Sequence, residues 1–143
     1  MTGEETARAF MKAVEQKDLD TAFGYVAEEF QFYGPRVPPL TKTAYNNNLI
    51  AVVGAFDEWQ YNPGEFRTDD SGRLHTRIQV TGVQNRELAF PGAPVVPATG
   101  KRYNRPEEPL AFDVVDGQIQ AMHMTPSGDK PAIYDIVDDM SDD

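Results

Sequence analysis

His123 is the side chain of this sequence best suited to acid–base chemistry. Residues 118 to 125 read as a strand in which Ile119, Ala121 and His123 share one face, because side chains alternate between the two faces of a strand. A desolvated imidazole stays uncharged near neutral pH and can remove a proton next to a carbonyl group. The alternative is a core histidine that is hydrogen-bonded to the backbone or to a tyrosine, and both interpretations stand.

Three phenols and one carboxylate are further candidates for chemistry. Tyr25, Tyr33 and Tyr45 lie near the expected wall of the same interior, where a phenol can donate a hydrogen bond to an oxyanion. For two of the three we favour a buried ring with its hydroxyl at the surface. Asp57 precedes Trp59, and a carboxylate beside an aromatic ring can have a raised pKa and act as a base. The alternative for Asp57 is a surface residue at the end of a helix.

Several other chemistries lack the residues they need. The chain has no cysteine, and its two histidines, His75 and His123, are far apart with no spaced carboxylate motif between them. No serine elbow and no glycine-rich phosphate loop is present. We therefore expect no metal ion and no cofactor. Arg77 and Asp113 resemble part of an epoxide-hydrolase triad, but alternation places both on the outer face of their strands.

Three helices precede the strands that carry these residues. Residues 6 to 16 have apolar side chains at the spacing of an amphipathic helix, and Asp18 can cap a second helix. A third helix begins after Thr41 or Thr43 and ends near Phe56. The first two helices are expected to form a helical hairpin.

The remaining sequence predicts an antiparallel sheet. Segments 30–33, 58–67 and 73–84 read as strands, the second interrupted at Pro63. Asp116-Gly117 suits a two-residue hairpin turn between strands 110–115 and 118–125. Residues 89 to 109 contain five prolines and predict a long loop over the mouth of a pocket. The sequence thus predicts an α+β fold in which three helices pack on a strongly curved, mostly antiparallel sheet.

The apolar faces of these strands predict a conical pocket beneath the helices. Its expected lining is Trp59, Ile78, Val80, Phe112 and His123. Gln84 ends the strand 73–84, where its amide can orient a carbonyl oxygen but cannot shuttle a proton. The alternative for Gln84 is a residue at the strand end that faces water.

Length and charge limit the domain organisation and the partners. The 143 residues suit one domain, over 1–134, followed by an acidic tail over 135–143. A net charge of −10 disfavours nucleic acid, because phosphate backbones need clustered Lys and Arg. The sequence has no run of 18 apolar residues and no apolar stretch near Met1, so we expect no membrane contact and a cytoplasmic location.

Three segments in order carry a resemblance to a known family. They are the turn 69–72, the segment Pro97-Ala98-Thr99-Gly100-Lys101 and the hairpin Asp116-Gly117-Gln118-Ile119. Together they resemble the SnoaL-like polyketide cyclases. These belong to the nuclear-transport-factor-two-like superfamily, which also holds ketosteroid isomerases and limonene epoxide hydrolases. The resemblance implies a cone-shaped fold, and it implies a homodimer formed through an outer sheet face that includes His75, Arg77 and Gln79.

The resemblance also implies a reaction class. Family members commonly carry Gly-Thr-His where this chain has Gly82-Val83-Gln84, and a Trp followed by a catalytic Asp where it has His123-Met124-Thr125-Pro126; the next acid is Asp129. The implied function is cofactor-independent isomerisation or aldol cyclisation of a small hydrophobic carbonyl compound. His123 would be the base, and a tyrosine or Gln84 would steady the enolate. The alternative is a non-catalytic ligand-binding or dimeric adaptor module.

Overall fold

The computed structural model describes residues 2–34, 39–89 and 95–125 as three helices and nine strands. The predicted α+β class is confirmed, and the proposed boundary at 134, the acidic tail and Asp129 lie outside the described residues. The elements in chain order are α1 (Gly3–Glu15), α2 (Leu19–Gly24), β1 (Val26–Tyr33), β2 (Leu40–Thr41), α3 (Lys42–Ala55), β3 (Phe56–Gln60), β4 (Arg67–Thr68), β5 (Leu74–Ile78), β6 (Thr81–Gln84), β7 (Arg102–Asn104), β8 (Glu108–Val115) and β9 (Gln118–Met124).

Each helix begins at a side chain that satisfies its first free backbone N–H groups. Thr2 and Glu5 form a capping box at α1, so this helix starts earlier than predicted. Asp18 caps α2 as predicted, and its carboxylate accepts a hydrogen bond from Thr21 N at 3.2 Å. Thr41, rather than Thr43, caps α3 by accepting from Ala44 N at 3.2 Å.

The strands form two sheets. The larger has the order β2-β1-β9-β8-β5-β4, and the smaller has the order β3-β6-β7. β1 and β9 are parallel, whereas the other strand pairs are antiparallel. The predicted strand over 73–84 is therefore two strands, β5 in the larger sheet and β6 in the smaller. The chain leaves one sheet and enters the other at Gln79 and Val80.

The prolines misled the prediction for residues 89 to 109. Part of that segment is strand: β7 pairs with β6, and β8 begins at Glu108 rather than Leu110. Leu88 also forms an isolated bridge with Val96. The Asp116-Gly117 turn is confirmed, since both residues have positive φ, 52° and 75°, as a primed two-residue turn requires.

A bulge in β9 decides which residues face the helices. Asp113 is opposite Ala121 and Val114 is opposite Ile119, so Gln120 is an extra residue without a partner on β8. Ile119 and Met122 consequently both point to the inner face, the side of the sheet that packs against the helices. One row across β5, β8, β9 and β1 on that face consists of Leu74, Phe112, Met122 and Phe32.

Gly82 lies where two aromatic rings approach the backbone of β6. A Cβ atom at this position would lie 3.2 Å from Phe56 Cδ1 and 3.3 Å from Trp59 Cε3. We expect Gly82→Ala to lower the free energy of unfolding by about 1–3 kcal/mol, because both rings must shift in a packed core. Urea denaturation measures the change.

Gly54→Ala is the matched control. Gly54 lies in α3, and a Cβ atom added there would meet nothing within 4 Å beyond the backbone of its own helix. Alanine is the better helix former, so this variant should be neutral or more stable. Equal destabilisation of both variants would contradict the close approach at Gly82.

Candidate functional site

His123 lies on the outer face of the larger sheet, which corrects the prediction that it points inward. The bulge at Gln120 reverses the alternation, so Met122 faces the core while the side chain of His123 is 27% exposed. Its Nε2 lies 2.9 Å from Asp113 Oδ2, and its ring stacks on Tyr33 with centroids 4.8 Å apart. His123 is therefore not a base for a ligand held at the inner face.

The outer face carries paired charges around small side chains. Arg73 Nε donates to Asp113 Oδ1 at 2.8 Å, and Ala111 lies between His75 and His123 in the strand register. Partial burial raises the pKa of Asp113, but hydrogen bonds from Arg73 and His123 outweigh it, so the pKa is lower than usual. Asp113 and Arg77 are both outside, as alternation predicted.

Asp57 is an anchor in an ion-pair cluster, which corrects the expectation of a raised pKa. Arg86 Nη2 donates to it at 2.7 Å, Asn85 Nδ2 at 2.8 Å and Lys17 Nζ at 2.9 Å. Hydrogen bonds from Arg86, Asn85 and Lys17, in that order, hold the pKa of Asp57 well below its usual value. The carboxylate therefore joins the turn before α2, the start of β3 and the end of β6.

Gln84 is buried in a local network rather than presented to a ligand. Its Nε2 donates to the carbonyl oxygens of Arg86, Val96 and Pro97 at 3.1 to 3.3 Å. Its Oε1 accepts from Thr99 Oγ1 at 2.7 Å. Gln84 is therefore neither a ligand contact nor a residue facing water, which were the two alternatives predicted from the sequence. Its amide instead holds the segment after residue 95 against β6.

The three candidate tyrosines occupy three different environments. Tyr25 is half-buried at the end of α2, where its carbonyl accepts from Ile119 N at 2.7 Å. Tyr33 is exposed on the outer face, and its hydroxyl donates to Gln31 Oε1. Tyr45 is buried and stacks on Phe32 with centroids 4.6 Å apart. Of the three, Tyr45 alone is in the interior.

Trp59 stands at the centre of a group that we call the aromatic box, formed by Phe56, Trp59, Tyr61 and Tyr103. Its ring centroid lies 5.2 Å from that of Phe56, 5.9 Å from that of Tyr103 and 6.2 Å from that of Tyr61. Trp59 is only 7% exposed, and its buried Nε1 meets no described acceptor in regular hydrogen-bond geometry, although it lies near enough to the Tyr61 hydroxyl to lower the pKa of that phenol. A buried donor without a well-aligned acceptor is uncommon in a folded interior.

Three further polar groups of the interior are the hydroxyls of Tyr45 and Tyr61 and the amide oxygen of Asn46. Burial raises the pKa of the Tyr61 phenol more than the nearby indole of Trp59 lowers it. Burial, and then the charge of an ionised Tyr61, raises the pKa of the Tyr45 phenol. Asn46 Oδ1, on α3, is buried and also lacks a hydrogen bond within the described part of the chain. Tyr61 and Asn46 were missed from the sequence, although Tyr61 shares the alternation of Trp59.

Ile78, Val80 and Phe112 are buried in the core, on the inner face where the sequence placed them. The same face carries two charges that the sequence interpretation missed. Arg105 Nε donates to Glu108 Oε1 at 3.0 Å and Arg105 Nη2 to Oε2 at 3.1 Å, and the side chains are 3% and 2% exposed. The shared alternation of Glu108 with Leu110 and Phe112 is the signal that could have revealed it.

The described ranges contain neither a cluster suited to a metal ion nor a helix suited to crossing a bilayer. No set of three or more His, Asp or Glu side chains in residues 2–34, 39–89 and 95–125 is arranged to hold a metal ion. Within the same ranges, none of the helices has both the length and the apolar character needed to span a bilayer.

Comparison with solved structures identifies the architecture. A proposed polyketide cyclase from Xanthomonas campestris pv. campestris is 22% identical, with a TM-score of 0.67 over 85% of this chain and 87% of that one. A proposed polyketide cyclase from Pseudomonas putida KT2440 is 15% identical, with a TM-score of 0.73 over 99% of each chain. A SnoaL-like polyketide cyclase from Agrobacterium tumefaciens is 14% identical, with a TM-score of 0.65 over 87% of this chain and 90% of that one. The chain has the fold of the SnoaL-like polyketide cyclases.

The resemblance seen in the sequence is thus confirmed for the fold. By sequence the chain matches no protein-family model and no curated protein, so structure alone carries the relationship. Gln84 and His123 stand where the sequence resemblance implied a family histidine and a Trp followed by an Asp. Gln84 is bound by its own neighbours and His123 faces outward, whereas the aromatic box and the Arg105–Glu108 pair are at the inner face.

Replacing Asp57 by Asn should destabilise the fold most near neutral pH. The pKa of Asp57 is lowered by folding, so its contribution is complete above the ordinary Asp value of about 3.9 and is lost progressively as the pH falls below it. The difference in free energy of unfolding between wild type and Asp57→Asn should shrink over that acidic range. Urea titrations at a series of pH values measure it.

Glu58→Gln is the control for this prediction. Glu58 is the next residue, and its carboxylate lies 4.0 Å from Arg102 at the surface, so its removal should change stability little at any pH. A difference for Asp57→Asn that stays constant through the acidic range would contradict the anchoring role.

Proposed function

We propose that this chain binds a small, hydrophobic carbonyl compound between the helices and the inner face, and that it transfers a proton on that compound without a cofactor. Isomerisation and aldol cyclisation are the two reactions of this class. The observation that carries the proposal is the buried indole Nε1 of Trp59, which has no described acceptor in regular hydrogen-bond geometry and lies beside the buried Tyr61 hydroxyl. The fold shared with SnoaL-like polyketide cyclases supports the same class of function.

The donor at Trp59 indicates which ligand group it would bind. An indole N–H donates and cannot accept, so its partner must be an acceptor such as a carbonyl oxygen. Tyr45 and Tyr61 are protonated near neutral pH like any phenol, and burial raises the pKa of both further, so they are hydrogen-bond donors rather than bases. Donors fixed in an apolar interior stabilise an oxyanion more than they would in water. The rings of the aromatic box suit a flat, apolar ligand body.

The proposed reaction begins with a carbon acid beside the carbonyl group. The C–H bond breaks, the proton goes to a base of the protein, and the electron pair moves onto the carbonyl oxygen as an enolate. In an isomerisation the proton returns to a different carbon atom. In an aldol cyclisation the enolate carbon attacks a second carbonyl group of the same molecule, whose oxygen then takes up the proton.

A non-catalytic binding module is the second candidate function. The amide of Gln84, at the position of the family histidine, is engaged by three carbonyl oxygens and by Thr99. A side chain held in this way has no proton to shuttle and supports a domain that binds without turnover. Exchange of the α-proton of a bound ketone separates the two functions, because only the catalytic version accelerates it.

Binding can be followed directly because Trp59 is the only tryptophan. We expect β-tetralone, a flat bicyclic ketone, to shift and quench its fluorescence to saturation. Trp59→Phe keeps an aromatic side chain, smaller than the indole, and removes the donor, so it should weaken the affinity at least about five- to tenfold, as measured by calorimetry, the effect of one hydrogen bond.

His123→Gln is the matched control for the ligand experiment. Its side chain is on the outer face, so the affinity for β-tetralone should equal that of the wild type. No saturable signal with β-tetralone or with larger aromatic ketones would refute the proposed binding. A large loss of affinity in His123→Gln would place the ligand on the outer face instead.

We also propose that a second copy of this chain covers the outer face. The chain carries a net charge of −10, so two copies repel each other in general. On the outer face, however, Arg73 is paired with Asp113, and Arg77 with Glu107 at 2.7 Å. The small residues Ala111 and Ala121 lie in the middle of it. A face with balanced charges around a flat centre suits an isologous dimer.

Reversing one charge on this face should weaken the dimer. Arg77→Glu removes a paired cation and adds like charges on both copies, so sedimentation velocity should show a monomer at concentrations at which the wild type is a dimer. Lys12→Glu, the same change on α1, should leave the dimer intact. A wild-type protein that is monomeric at high concentration would refute the interface.

A further inference from the structure

We infer that Glu108 is the base of the proposed proton transfer and that Arg105 holds it in place. This inference rests on the proposed function and adds to it the group that takes the proton. Glu108 is opposite Ile78 in the register of β5 and β8, and it alternates with Leu110 and Phe112, so its side chain is on the inner face.

Glu108 is singled out by the composition of the inner face. The inner side chains of β5 are Leu74, Thr76 and Ile78, and the register gives Gly82 and Gln84 on β6 and Leu110 and Phe112 on β8. None of these seven can take a proton from carbon near neutral pH, since none is a carboxylate or an imidazole. On these three described strands, Glu108 is the inner-face group that can.

Stability alone does not account for a buried ion pair at this place. Removing two charges from water costs several kcal/mol per ion before their attraction is counted, and apolar residues of similar volume usually serve stability as well or better. The pair is nevertheless formed in a bidentate geometry, with two parallel N–H···O contacts of 3.0 and 3.1 Å. This geometry fixes the orientation of the carboxylate, which a base needs.

The pair lies close to the aromatic box along the chain. Tyr103, which stacks on Trp59, and Arg105 are two residues apart on the same side of an extended segment, roughly 6–7 Å. Arg105 N donates to Val80 O at 2.9 Å, which extends the pairing beyond β7. For the proton transfer, a ketone whose oxygen binds at Trp59 must present its neighbouring carbon atom toward Glu108.

The proton step is balanced in charge. Glu108 takes the proton, the C–H electron pair moves onto the ligand oxygen, and the negative charge passes from the carboxylate to the enolate. Arg105 keeps its positive charge throughout and remains beside the site, so no uncompensated charge is created in the interior. Returning the proton to carbon restores the starting state, and no other reactant is consumed.

The test uses β-tetralone in deuterated buffer and proton NMR to follow exchange of its α-protons. The full chain should accelerate exchange over the buffer blank. Glu108→Gln, which keeps shape and loses the base, should lower the rate about 100-fold, the lower range for a general base. Glu107→Gln changes the adjacent exposed carboxylate, paired with Arg77, and should exchange like the wild type.

Arg105→Lys tests the positioning residue and guards against a folding failure of Glu108→Gln. Lysine keeps the positive charge but cannot donate two parallel hydrogen bonds to one carboxylate. The kcat for exchange should therefore fall at least tenfold while KM changes less than threefold. Circular dichroism and thermal unfolding confirm that each variant is folded. A merely structural pair would lower stability and leave kcat of the folded fraction unchanged.

The outcomes separate this inference from the proposed function. Fluorescence binding at Trp59 with no exchange in the wild type overturns the role of Glu108 but leaves binding intact. Exchange that persists in folded Glu108→Gln or in folded Arg105→Lys also overturns it, whereas proton transfer itself stands. Absence of both binding and exchange overturns the proposed function and the inference together.

Discussion

A single unpaired residue in β9 determines which groups this sheet presents to its interior. Because Gln120 has no partner on β8, the alternation of β9 reverses between Ile119 and Met122. Met122 joins Leu74 and Phe112 in the apolar row, and His123 moves to the outer face next to Asp113. The same shift that keeps the apolar row continuous also removes the imidazole from the interior, so packing and chemistry are set by one irregularity.

The charged side chains on the two faces of the sheet differ in their exposure to water. On the outer face Arg73, Asp113 and His123 are half-exposed, so water screens them and their pairing contributes little to stability. On the inner face Arg105 and Glu108 are almost fully buried, and their pairing offsets part of the cost of removing both charges from water. The Trp59 indole and the protonated phenols complete an interior that is apolar in bulk and polar at a few fixed atoms, as small-ligand sites usually are.

The features that sequence predicts well here are local. The caps at Asp18 and Thr41 and the turn at Asp116-Gly117 depend on residues within four positions of one another, and all are confirmed. The bulge at Gln120, the division of strand 73–84 between two sheets and the short strand β7 depend on pairing with distant strands, which alternation along one strand does not encode. Trp59 was identified from its residue type, whereas Glu108 was hidden in a segment interpreted as loop because of its prolines.

Neither Gln84 nor His123 is placed to exchange a proton with a ligand at the inner face. Thr99, in the Pro-x-Thr-Gly-Lys segment, donates to Gln84 Oε1, so the amide of Gln84 fastens this segment to the end of β6. An amide can hold two stretches of chain together but cannot exchange a proton, and a histidine on the outer face cannot reach an interior ligand. If proton transfer takes place in this fold, it therefore requires a different group, and a carboxylate already held by a bidentate arginine on the inner face meets that requirement without any rearrangement of the sheet.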